Sequence, residues 1–537
     1  MNLVIGLTLF FIVWTTQRTL VNSKKLLIIV PSPLYSHQIA YQSLWRKLHE
    51  RGHELVILTL NAIKDPNLTN YTEINYNINY GKLEKILDMK LNRRFTEMEL
   101  NELLDNIRHN ITEELLKLPN IQQLFVSTSN EKFDAVIVET VSSPIFYLLA
   151  QKFNAPLIGI TSTQLRNLER YLLGSPILPS HLSNWEIENI STNAQFLQRL
   201  KNFIDTYYYM YYWFYTFVPI QQMIARKYLG DNVPSIIEAG QNMSLVLASS
   251  HMINLYSRPE IPNVVYYNSG HISKIPPSLP TDLREFLDNA TNGFIYMSFG
   301  STVKYNYLKE NTKTLLTNVL SKLPWPIVWS RNDADSIKNF SYHLGKIFIS
   351  KWVPQQGILA HPNIKLFIYQ GGLQSTEEAI HYGVPLIGIP IVFDQHYNVK
   401  KIVTFGVAKY LHLANMTEEI FHDSIYDMFN NIEKYKEKML ELQGIVKDVP
   451  YDSVENAVWW IEYVIRNKGW IAQKRSYILQ VQSPRWRNAQ LILSSNNEQD
   501  KTKEQDNSCC GSYREVSTAP DVPEFATDSL TRILTNV

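Results

Sequence analysis

The sequence predicts an α/β protein made of two doubly wound parallel sheets. Short apolar runs, such as residues 26–30 and 54–59, alternate with segments of helical periodicity, which is typical of βαβ units. This alternation occurs twice, on either side of a proline-rich stretch at residues 258–282. The 537 residues also exceed what one hydrophobic core usually supports. We therefore expect two domains joined by a linker.

Five strands are predicted in each half of the chain. Those of the first half lie at residues 26–30, 54–59, 135–138, 157–160 and 245–249. Those of the second half lie at residues 294–298, 327–330, 347–350, 364–369 and 386–389. The polar segment 67–125 has a helical pattern and is predicted to pass over the first sheet, which strand 245–249 should close. Asp452 and Glu455 predict a capping box for a helix that continues through Ile465.

Composition excludes several classes of function. Hydrophobic residues make up 45% and charged residues 19% of the chain, and its net charge is +1, so no basic excess favours nucleic acid. The two cysteines, Cys509 and Cys510, are adjacent and give neither a zinc-ligand spacing nor a disulfide framework. No GxGxxG motif follows a strand, which argues against a dehydrogenase. The function must therefore be read from other local motifs.

The two ends of the chain predict its location. An apolar segment at residues 3–14 is too short to span a bilayer comfortably and predicts a cleavable signal peptide at 1–23. Glycosylation triplets of the Asn-x-Ser/Thr type occur at Asn67, Asn70, Asn110, Asn189, Asn242, Asn289, Asn339 and Asn415. Residues 470–537 contain no apolar run near the ~20 residues of a membrane helix and predict a polar, disordered tail. We expect a secretory-pathway protein, in the lumen of the endoplasmic reticulum or secreted.

Residues 352–395 carry the strongest functional signal. They read WVPQQGILAHPN, then the strand IKLFIY, the segment QGGLQSTEEAI, the strand VPLIGIP and finally FDQ. Gly371 and Gly372 permit a tight turn after the strand, and residues 373–382 read as a helix that begins there. Free N–H groups at such a helix N-terminus attract a diphosphate. The segment is therefore predicted to bind a nucleoside diphosphate.

The order of these elements resembles the donor signature of family 1 UDP-glycosyltransferases. The resemblance extends over residues 24–468, which is most of the chain. It implies the GT-B fold, in which two Rossmann-like domains face each other across a cleft. The acceptor-binding domain is then expected at residues 24–257, the linker at 258–282 and the UDP-sugar-binding domain at 283–451. Residues 452–469 are expected to form a helix that returns to the first domain.

The resemblance implies roles for four side chains around the nucleoside. Trp352 is expected to stack its indole on the uracil, and Gln355 to hydrogen-bond the base or the ribose. Glu378 is expected to accept hydrogen bonds from the ribose hydroxyls. His361 matches a position near the base pocket.

Further roles concern the diphosphate and the transferred sugar. The Gly372 amide and the Ser375 side chain are expected to hold diphosphate oxygens. Ser301 belongs to a strand-end turn, SFGS, that faces the phosphates in the family. Asp394 and Gln395 match the acidic-plus-amide pair that binds hydroxyls of the sugar.

One position departs from the family pattern. Members commonly have His before the glycine pair, where it donates to the diphosphate, whereas this chain has Gln370. An amide still donates but cannot carry a positive charge, so it loses the charge-assisted part of a contact worth about 1.5–3 kcal/mol. This departure keeps a second interpretation open, a non-catalytic protein that binds or carries a UDP-sugar or a small molecule.

Glycosyl transfer needs a base that removes the acceptor proton and groups that stabilise the departing diphosphate. His37 follows the first predicted strand and matches the catalytic His of the family. The family places an Asp at the end of the strand FDAVIV to orient that His, and this chain has Glu139 there. One additional methylene still permits a carboxylate–imidazole contact. We therefore expect His37 to be the base and Glu139 its partner.

A competing metal site is weaker. Asp333-Ala334-Asp335 has the DxD pattern that holds a divalent metal in GT-A enzymes, but it lies in a domain that already carries a GT-B donor signature. We expect no metal, and no cofactor besides the UDP-sugar co-substrate. The predicted reaction is inverting transfer of a hexose to the hydroxyl of a small lipophilic acceptor, with glucose favoured over glucuronic acid or galactose.

Residues 197–228 form an unusual helical pattern. Aromatic side chains occupy every face of the helix between Tyr207 and Tyr215. Such a surface must be covered, so a core or interdomain helix is the favoured interpretation. A wall of the acceptor pocket and a helix that lies on a membrane are the alternatives.

Overall fold

The computed structural model describes residues 23–76, 97–125, 131–180, 185–186, 194–331, 341–344 and 346–469. Several sequence-based predictions lie outside these ranges, namely residues 1–22 of the signal peptide, the DxD motif, Asn189, Asn339, the cysteine pair and the tail at 470–537. Within the described ranges, no helix combines the length and apolarity needed to cross a bilayer.

The first domain is built on a parallel seven-stranded sheet in the order β3-β2-β1-β4-β5-β6-β7. Its strands are β1 (Lys25–Ile29), β2 (Glu54–Thr59), β3 (Tyr71–Asn75), β4 (Ala135–Glu139), β5 (Leu157–Thr161), β6 (Met243–Ser249) and β7 (Val264–Tyr267). Its helices are α1 (Tyr35–Glu50), α2 (Glu97–Leu116), α3 (Pro119–Phe125), α4 (Leu148–Lys152), α5 (Asn167–Leu173), α6 (Phe196–Tyr212), α7 (Val218–Leu229) and α8 (Ile236–Gln241).

The second domain repeats this plan with the strand order β10-β11-β9-β8-β12-β13-β14. The strands are β8 (Phe294–Ser298), β9 (Ile327–Ser330), β10 (Ser341–Leu344), β11 (Ile347–Ser350), β12 (Ile364–Tyr369), β13 (Leu386–Gly388) and β14 (Ala408–Tyr410). All neighbours are parallel except β10 and β11. The helices are α9 (Thr281–Asp288), α10 (Glu310–Lys322), α11 (Gln355–Leu359), α12 (Leu373–Tyr382), α13 (Gln395–Val403), α14 (Glu418–Asn430) and α15 (Ile432–Lys447).

Each sheet separates two hydrophobic cores, which explains its continuous apolar strands. Along β4, Val136 and Val138 face one core, whereas Ala135 and Ile137 face the other. β8 alternates in the same way between the two cores of the second domain. The period-two alternation of a strand therefore fills a helix layer on both faces of each sheet.

The structure corrects the predicted end of the first domain. The stretch 258–282 is not a linker throughout, because it contains β7, which pairs in parallel with β6 and forms the sheet edge. β3 likewise lies inside segment 67–125, which was predicted to be helical only. Both are short edge strands, of five and four residues, and β3 has no buried side chain, so the apolar pattern gives little sign of them.

The final helix, α16 (Ser453–Arg466), packs on the first domain rather than the second. Val458 and Ile461 share a core with residues of α1 and β1. Asp452 caps the helix by accepting from the backbone of residues 454 and 455, as predicted. Glu455 instead forms ion pairs of 2.6 Å with Lys47 and with Arg51 of the first domain. The chain thus crosses twice between the domains, which fixes their relative placement.

Only one side of the aromatic helical segment at residues 196–229 is buried in the core. α6 runs through a π-helical turn, Trp213–Phe217, into α7. Tyr209, Trp213 and Phe217 are buried in the first domain. The segment does not contribute to either cavity described below, so it is not a pocket wall. Its outer face is exposed, contrary to the expectation that it would be covered.

Candidate active site

Two cavities meet at His37. The larger, of about 320 Å³, lies between the carboxyl ends of the two sheets and is lined by loops of both domains. The smaller, of about 130 Å³, lies on the first-domain side and is bounded by α2. Both are lined by Leu34, His37, Thr163, Phe393 and Asp394. A group that occupies one cavity can therefore reach a group in the other at this junction.

The topology of the first sheet brings His37 and Glu139 together. His37 lies in the first turn of α1, directly after β1, and Glu139 is the last residue of β4. Because β1 and β4 are parallel neighbours, both side chains lie at the same edge of the sheet. His37 Nδ1 is 2.9 Å from Glu139 Oε1, and the carboxylate is fully buried.

The carboxylate of Glu139 is held by three more donors that the sequence analysis did not identify. Oε2 accepts from the Ser32 amide at 3.0 Å and from the Ser142 hydroxyl at 2.9 Å. Oε1 also accepts from the Tyr41 hydroxyl at 3.3 Å. Burial and the neighbouring Glu139 charge raise the pKa of Tyr41, so its hydroxyl keeps the proton that it donates. The spacing of Tyr41 four residues after His37 was the one sequence signal for this contact.

The tautomer of His37 follows from this arrangement. An ionised carboxylate only accepts hydrogen bonds, so Nδ1 carries the proton and Nε2 keeps a free lone pair. The ring is pinned by Glu139 and lines both cavities. Nε2 is therefore available to accept a proton from a hydroxyl placed at the junction.

Asp394 approaches His37 from the second domain. Burial raises the pKa of this carboxyl, while a 2.8 Å hydrogen bond from Asn398 and the nearby His37 charge act in the opposite direction. The adjacent Gln395 uses its Oε1 to accept from the amides of Ile391 and Val392, at 2.9 and 3.0 Å. Its NH₂ group is consequently left to donate into the cavity that it lines.

A hydrogen-bonded cluster lines the far part of the larger cavity. Gln355 Nε2 donates to Ser375 Oγ at 2.9 Å and to Glu378 Oε2 at 2.6 Å, while Gln355 Oε1 accepts from Tyr296 at 3.0 Å. Glu378 Oε1 also accepts from Gln356 at 3.0 Å. The predicted residues Gln355, Ser375 and Glu378 are therefore brought together on one wall.

The glycine turn lies where the phosphate site was predicted. Gly371 has a positive φ of 94°, and Gly372 is the N-cap of α12, whose first residues line the larger cavity. Gln370 lies between this turn and Gly300, because a Cβ added to Gly300 would come within 2.2 Å of Gln370 Nε2. Gln370 is 6% exposed, and its Oε1 has no hydrogen-bond partner among the residues that the structure describes. Ser301 lines the same end of the cavity.

Trp352 lies at the entrance of the larger cavity. It is 60% exposed, and its ring meets that of Tyr35 of the first domain edge-on, with centroids 5.6 Å apart. An exposed indole at a cavity mouth offers a flat apolar face for a planar ring. The placement agrees with the stacking role implied by the resemblance.

His361 does not belong to this site. It does not line either cavity, and both of its ring nitrogens are used elsewhere. Nε2 is 3.1 Å from Asp288, and Nδ1 accepts from the Asn363 amide at 3.2 Å. Its role is to fix the turn before β12, which corrects the expectation of a position near the base.

Glu377 is a further buried carboxylate that the sequence analysis overlooked. It accepts from the amide of His251 at 3.0 Å, the amide of Ser269 at 3.3 Å and the side chain of Asn254 at 3.4 Å. These donors flank β7, whereas Glu377 lies on α12 beside Glu378. Burial raises the pKa of Glu377, opposed by nearby His271. Glu377 thus ties the donor helix to the loops before and after β7 of the first domain.

Comparisons with known proteins agree with this architecture. Residues 24–475 match the family described as UDP-glucoronosyl and UDP-glucosyl transferase. A UDP-glucosyltransferase 2 of Dactylopius coccus is 28% identical over 86% of this chain and 87% of its own length. An ecdysteroid UDP-glucosyltransferase of Spodoptera littoralis nuclear polyhedrosis virus is 27% identical over 83% and 88%. A 2-hydroxyacylsphingosine 1-beta-galactosyltransferase of Homo sapiens is 28% identical over 86% and 84%.

A solved structure shares the fold. The crystal structure of the glycotransferase of kitacinnamycin aligns with a TM-score of 0.54 at 13% identity, covering 83% of this chain and all of the other. With two Rossmann-like sheets facing across a cleft, the fold is GT-B. Metal-ligand clusters of three or more His, Cys, Asp or Glu were not found among the described residues. Since the family match spans most of the sequence and the family's donor motif lines the cleft, the chain belongs to the UDP-glucuronosyl and UDP-glucosyl transferase family.

Proposed function

We propose that this protein is an inverting UDP-glycosyltransferase that moves a hexose, with glucose favoured, to the hydroxyl of a small lipophilic acceptor. The observation that carries the proposal is the His37–Glu139 pair at the junction of the two cavities. The glucosyltransferase names of several relatives support glucose as the sugar. The smaller cavity supports a lipophilic acceptor, because Leu100, Leu104 and Ile107 line it.

In this reaction, His37 Nε2 takes the proton of the acceptor hydroxyl. The hydroxyl oxygen attacks the anomeric carbon of the sugar from the side opposite the diphosphate, and the bond to the diphosphate breaks, which inverts the anomeric configuration. Glu139 keeps His37 in the required tautomer and stabilises the imidazolium that forms. Asp394, at the junction, and Gln395, in the larger cavity, orient the sugar by accepting from and donating to its hydroxyls.

The departing UDP accumulates negative charge on its diphosphate. The N-terminus of α12, with Gly372 as its N-cap, supplies backbone N–H groups and the positive end of a helix dipole. Ser375 and Gln370 add neutral donors on the same wall. We propose that these groups suffice without a metal ion and that no cofactor besides the UDP-sugar takes part.

An assay of the UDP that the complete chain releases from a UDP-sugar tests the proposal. With UDP-glucose and a panel of phenols, acceptor-dependent release is expected, and His37→Ala should lower kcat by about 10²- to 10⁴-fold, the usual contribution of a general base. His422→Ala is the matched control, because this His lies on the outer face of α14 beside Asp423 and lines neither cavity. Release that is unaffected by His37→Ala would refute His37 as the base. UDP-galactose and UDP-glucuronic acid assayed in parallel identify the sugar.

A second function, non-catalytic binding or transport of a UDP-sugar or small molecule, is favoured by one observation. Gln370 stands where the family commonly has His, and its buried carbonyl has no hydrogen-bond partner within the described ranges. In this case, a UDP titration shows binding, but no acceptor in the panel causes release. Release in Gln370→His alone would assign the loss of turnover to this side chain.

We also propose that the chain follows the secretory route and is glycosylated. All six Asn-x-Ser/Thr triplets within the described ranges have an exposed Asn, at Asn67, Asn70, Asn110, Asn242, Asn289 and Asn415. Exposure is what an acceptor Asn requires. Protein expressed in eukaryotic cells should gain mobility on gels after enzymatic removal of N-glycans. An unchanged mobility, with the N-terminal segment still attached by mass spectrometry, would contradict the secretory route.

A further inference from the structure

The loop that follows β7 brings an imidazole to the donor helix α12. This imidazole belongs to His271, whose side chain is 2% exposed. The loop is fixed on the first domain and on the returning helix. The Asn268 amide donates to Ser453 Oγ of α16 at 2.7 Å, and a Cβ added to Gly270 would come within 3.0 Å of Ser43 Oγ of α1. The position of His271 is therefore set outside the domain that it contacts.

Both ring nitrogens of His271 face α12. Nε2 is 3.1 Å from the carbonyl oxygen of Gln374, so this nitrogen carries a proton and donates it. The same nitrogen is 3.7 Å from Glu378 Oε1. Nδ1 lies 4.0 Å from Glu377 Oε2 and makes no hydrogen bond within the described part of the chain. The ring is thus placed between two neighbouring carboxylates of one helix.

Gln356 joins the backbone around His271 to the same carboxylate. Its Nε2 donates to the His271 carbonyl and to Glu378 Oε1, each at 3.0 Å. Its Oε1 accepts from the Ser273 amide at 2.8 Å. Both ends of this side-chain amide are consequently used, and a shift of the loop would move Glu378 with it.

The charges of Glu377 and Glu378 need compensation, because both side chains are buried. Burial, and to a smaller degree the charge of Glu378, raise the pKa of Glu377, whereas His271 lowers it. Among the residues that the structure describes, His271 is the one basic side chain within 4.0 Å of either carboxylate. Loss of this ring would leave two adjacent carboxylates without a basic neighbour.

Glu378 nevertheless keeps the capacity to bind a ligand. Oε2 accepts from Gln355 and Oε1 accepts from Gln356, which uses one lone pair of each oxygen. A carboxylate has about four such sites, so two remain. Glu378 lines the larger cavity, where a pair of vicinal hydroxyls can donate to it.

We propose that His271 is a positioning residue for the nucleoside of the donor. Through the Gln374 carbonyl and the Glu378 carboxylate, it holds the first turns of α12 so that Glu378 accepts from both ribose hydroxyls. His271 itself lines neither cavity and lies outside residues 352–395. This inference rests on the proposed function in one respect, the role of Glu378 as the ribose contact.

Calorimetric titration of the complete chain with UDP and with 2′,3′-dideoxy-UDP tests the proposal. The wild type should bind UDP about tenfold or more tightly than the dideoxy compound, which cannot donate to Glu378. His271→Ala should weaken UDP binding by about tenfold and leave binding of the dideoxy compound within about twofold, because the lost affinity belongs to the ribose hydroxyls.

Two amide substitutions separate positioning from a general effect on folding. In His271→Gln, the amide reaches the place of Nε2 and can donate to the Gln374 carbonyl, so most of the UDP affinity should remain. In His271→Asn, the amide reaches only the place of Nδ1, and UDP affinity should fall as in His271→Ala. This pair also tests the proposal if His271→Ala does not fold.

His53→Ala is the matched control. His53 has a side chain that is 1% exposed, and its Nε2 is 3.3 Å from Glu462 of α16, but it lines neither cavity. This variant should lose stability and keep both affinities. Discrimination between the two nucleotides that persists in His271→Ala and His271→Asn would overturn the role of His271 alone. Equal binding of both nucleotides by the wild type, or no binding of UDP, would overturn the donor-site assignment and this inference with it.

Discussion

The two halves of the active site differ in how completely the protein satisfies their polar groups. On the first-domain side, Glu139 accepts hydrogen bonds from His37, Tyr41, Ser142 and the Ser32 amide. On the second-domain side, Oε1 of buried Gln370 accepts no hydrogen bond from the described part of the chain. His37, the proposed base, is therefore held by the protein's own groups. On the wall proposed to hold the diphosphate, neutral Gln370 stands where the family commonly has His.

This difference indicates which substitutions in the active site are tolerated. With Glu139 where the family has Asp, a carboxylate still contacts His37, at 2.9 Å, and accepts from the Ser32 amide and the Ser142 hydroxyl. Replacement of His by Gln at 370 changes the charge itself, and no neighbouring cation lines this part of the cavity. We expect substitutions at the His37–Glu139 pair to abolish the reaction. Substitutions at Gln370 should only raise or lower its rate.

Glu139→Gln should give the largest effect. A neutral amide cannot stabilise the imidazolium and offers an NH₂ group where His37, Tyr41, Ser142 and Ser32 all donate. We expect kcat to fall by about 10²- to 10⁴-fold, the range lost with a general base, with KM for the UDP-sugar little changed. Steady-state kinetics check this split. If kcat/KM fell by the same factor through a higher KM alone, Glu139 would act in donor binding and not in catalysis.

Gln370→His should have the next largest effect, in the opposite direction. A cationic donor to the diphosphate restores a charge-assisted hydrogen bond worth about 1.5–3 kcal/mol, so kcat/KM should rise by about tenfold or more at acidic pH. Deprotonation of the new His removes the charge, so the gain should shrink as the pH rises past about 6.5. The dependence of kcat/KM on pH, measured for the variant and for the wild type, tests this expectation. Gln370→Asn, which stays neutral, is the control, and a gain that is independent of pH would argue against charge as the cause.

Trp352→Ala tests the entrance of the donor cavity. Loss of an aromatic platform for the uracil should weaken UDP binding by about 1–3 kcal/mol, whereas Trp352→Phe should retain much of the affinity. Because Trp352 is 60% exposed, unfolding by denaturant should be almost unchanged. Calorimetric titration with UDP, beside the unfolding curve, separates the two effects. Equal affinity of the Ala and Phe variants would exclude stacking.

Glu377→Gln should produce the smallest effect, on stability. Burial raises the pKa of Glu377 above its ordinary value of 4.5, so the folded protein holds this proton at a pH where the unfolded chain has released it. The contribution of Glu377 to stability is thus most favourable below about pH 4.5 and declines as the pH rises through its raised pKa. The Tm of wild type minus that of Glu377→Gln should therefore fall between pH 4 and pH 7, on the order of a few degrees. A difference that rises with pH would contradict a raised pKa.

Much of the donor site could be predicted from sequence because its signals are local. The run of apolar residues at β12, the glycine pair and the helix after it lie within a few turns of chain, and the structure places β12 and α12 at the predicted bounds. The strand-end positions of His37 and Glu139 likewise follow from alternation of strands and helices. The GT-B fold is confirmed by the structural comparison.

Other features could not be read from local pattern. His361 has the right residue type in the right motif, yet its ring is used by Asp288 and Asn363. β7 is a short strand within a proline-rich stretch, and it is recognised as a strand only by its pairing with β6. The sequence around Glu377 is that of an ordinary polar helix position. Its burial follows only from the contacts with residues 251–269 in the tertiary structure.

The sequence by itself predicted the central strands, the donor motif and the positions of His37 and Glu139 after neighbouring strands, because hydrophobic period, turn glycines and strand ends are properties of neighbouring residues. Tertiary structure decided which polar groups meet across the sheet and the cleft, which strands complete the sheet edges, and which face of α6 remains exposed. These outcomes depend on residues far apart in the chain, since burial and hydrogen bonding are settled only when the two domains and the returning helix α16 have packed together.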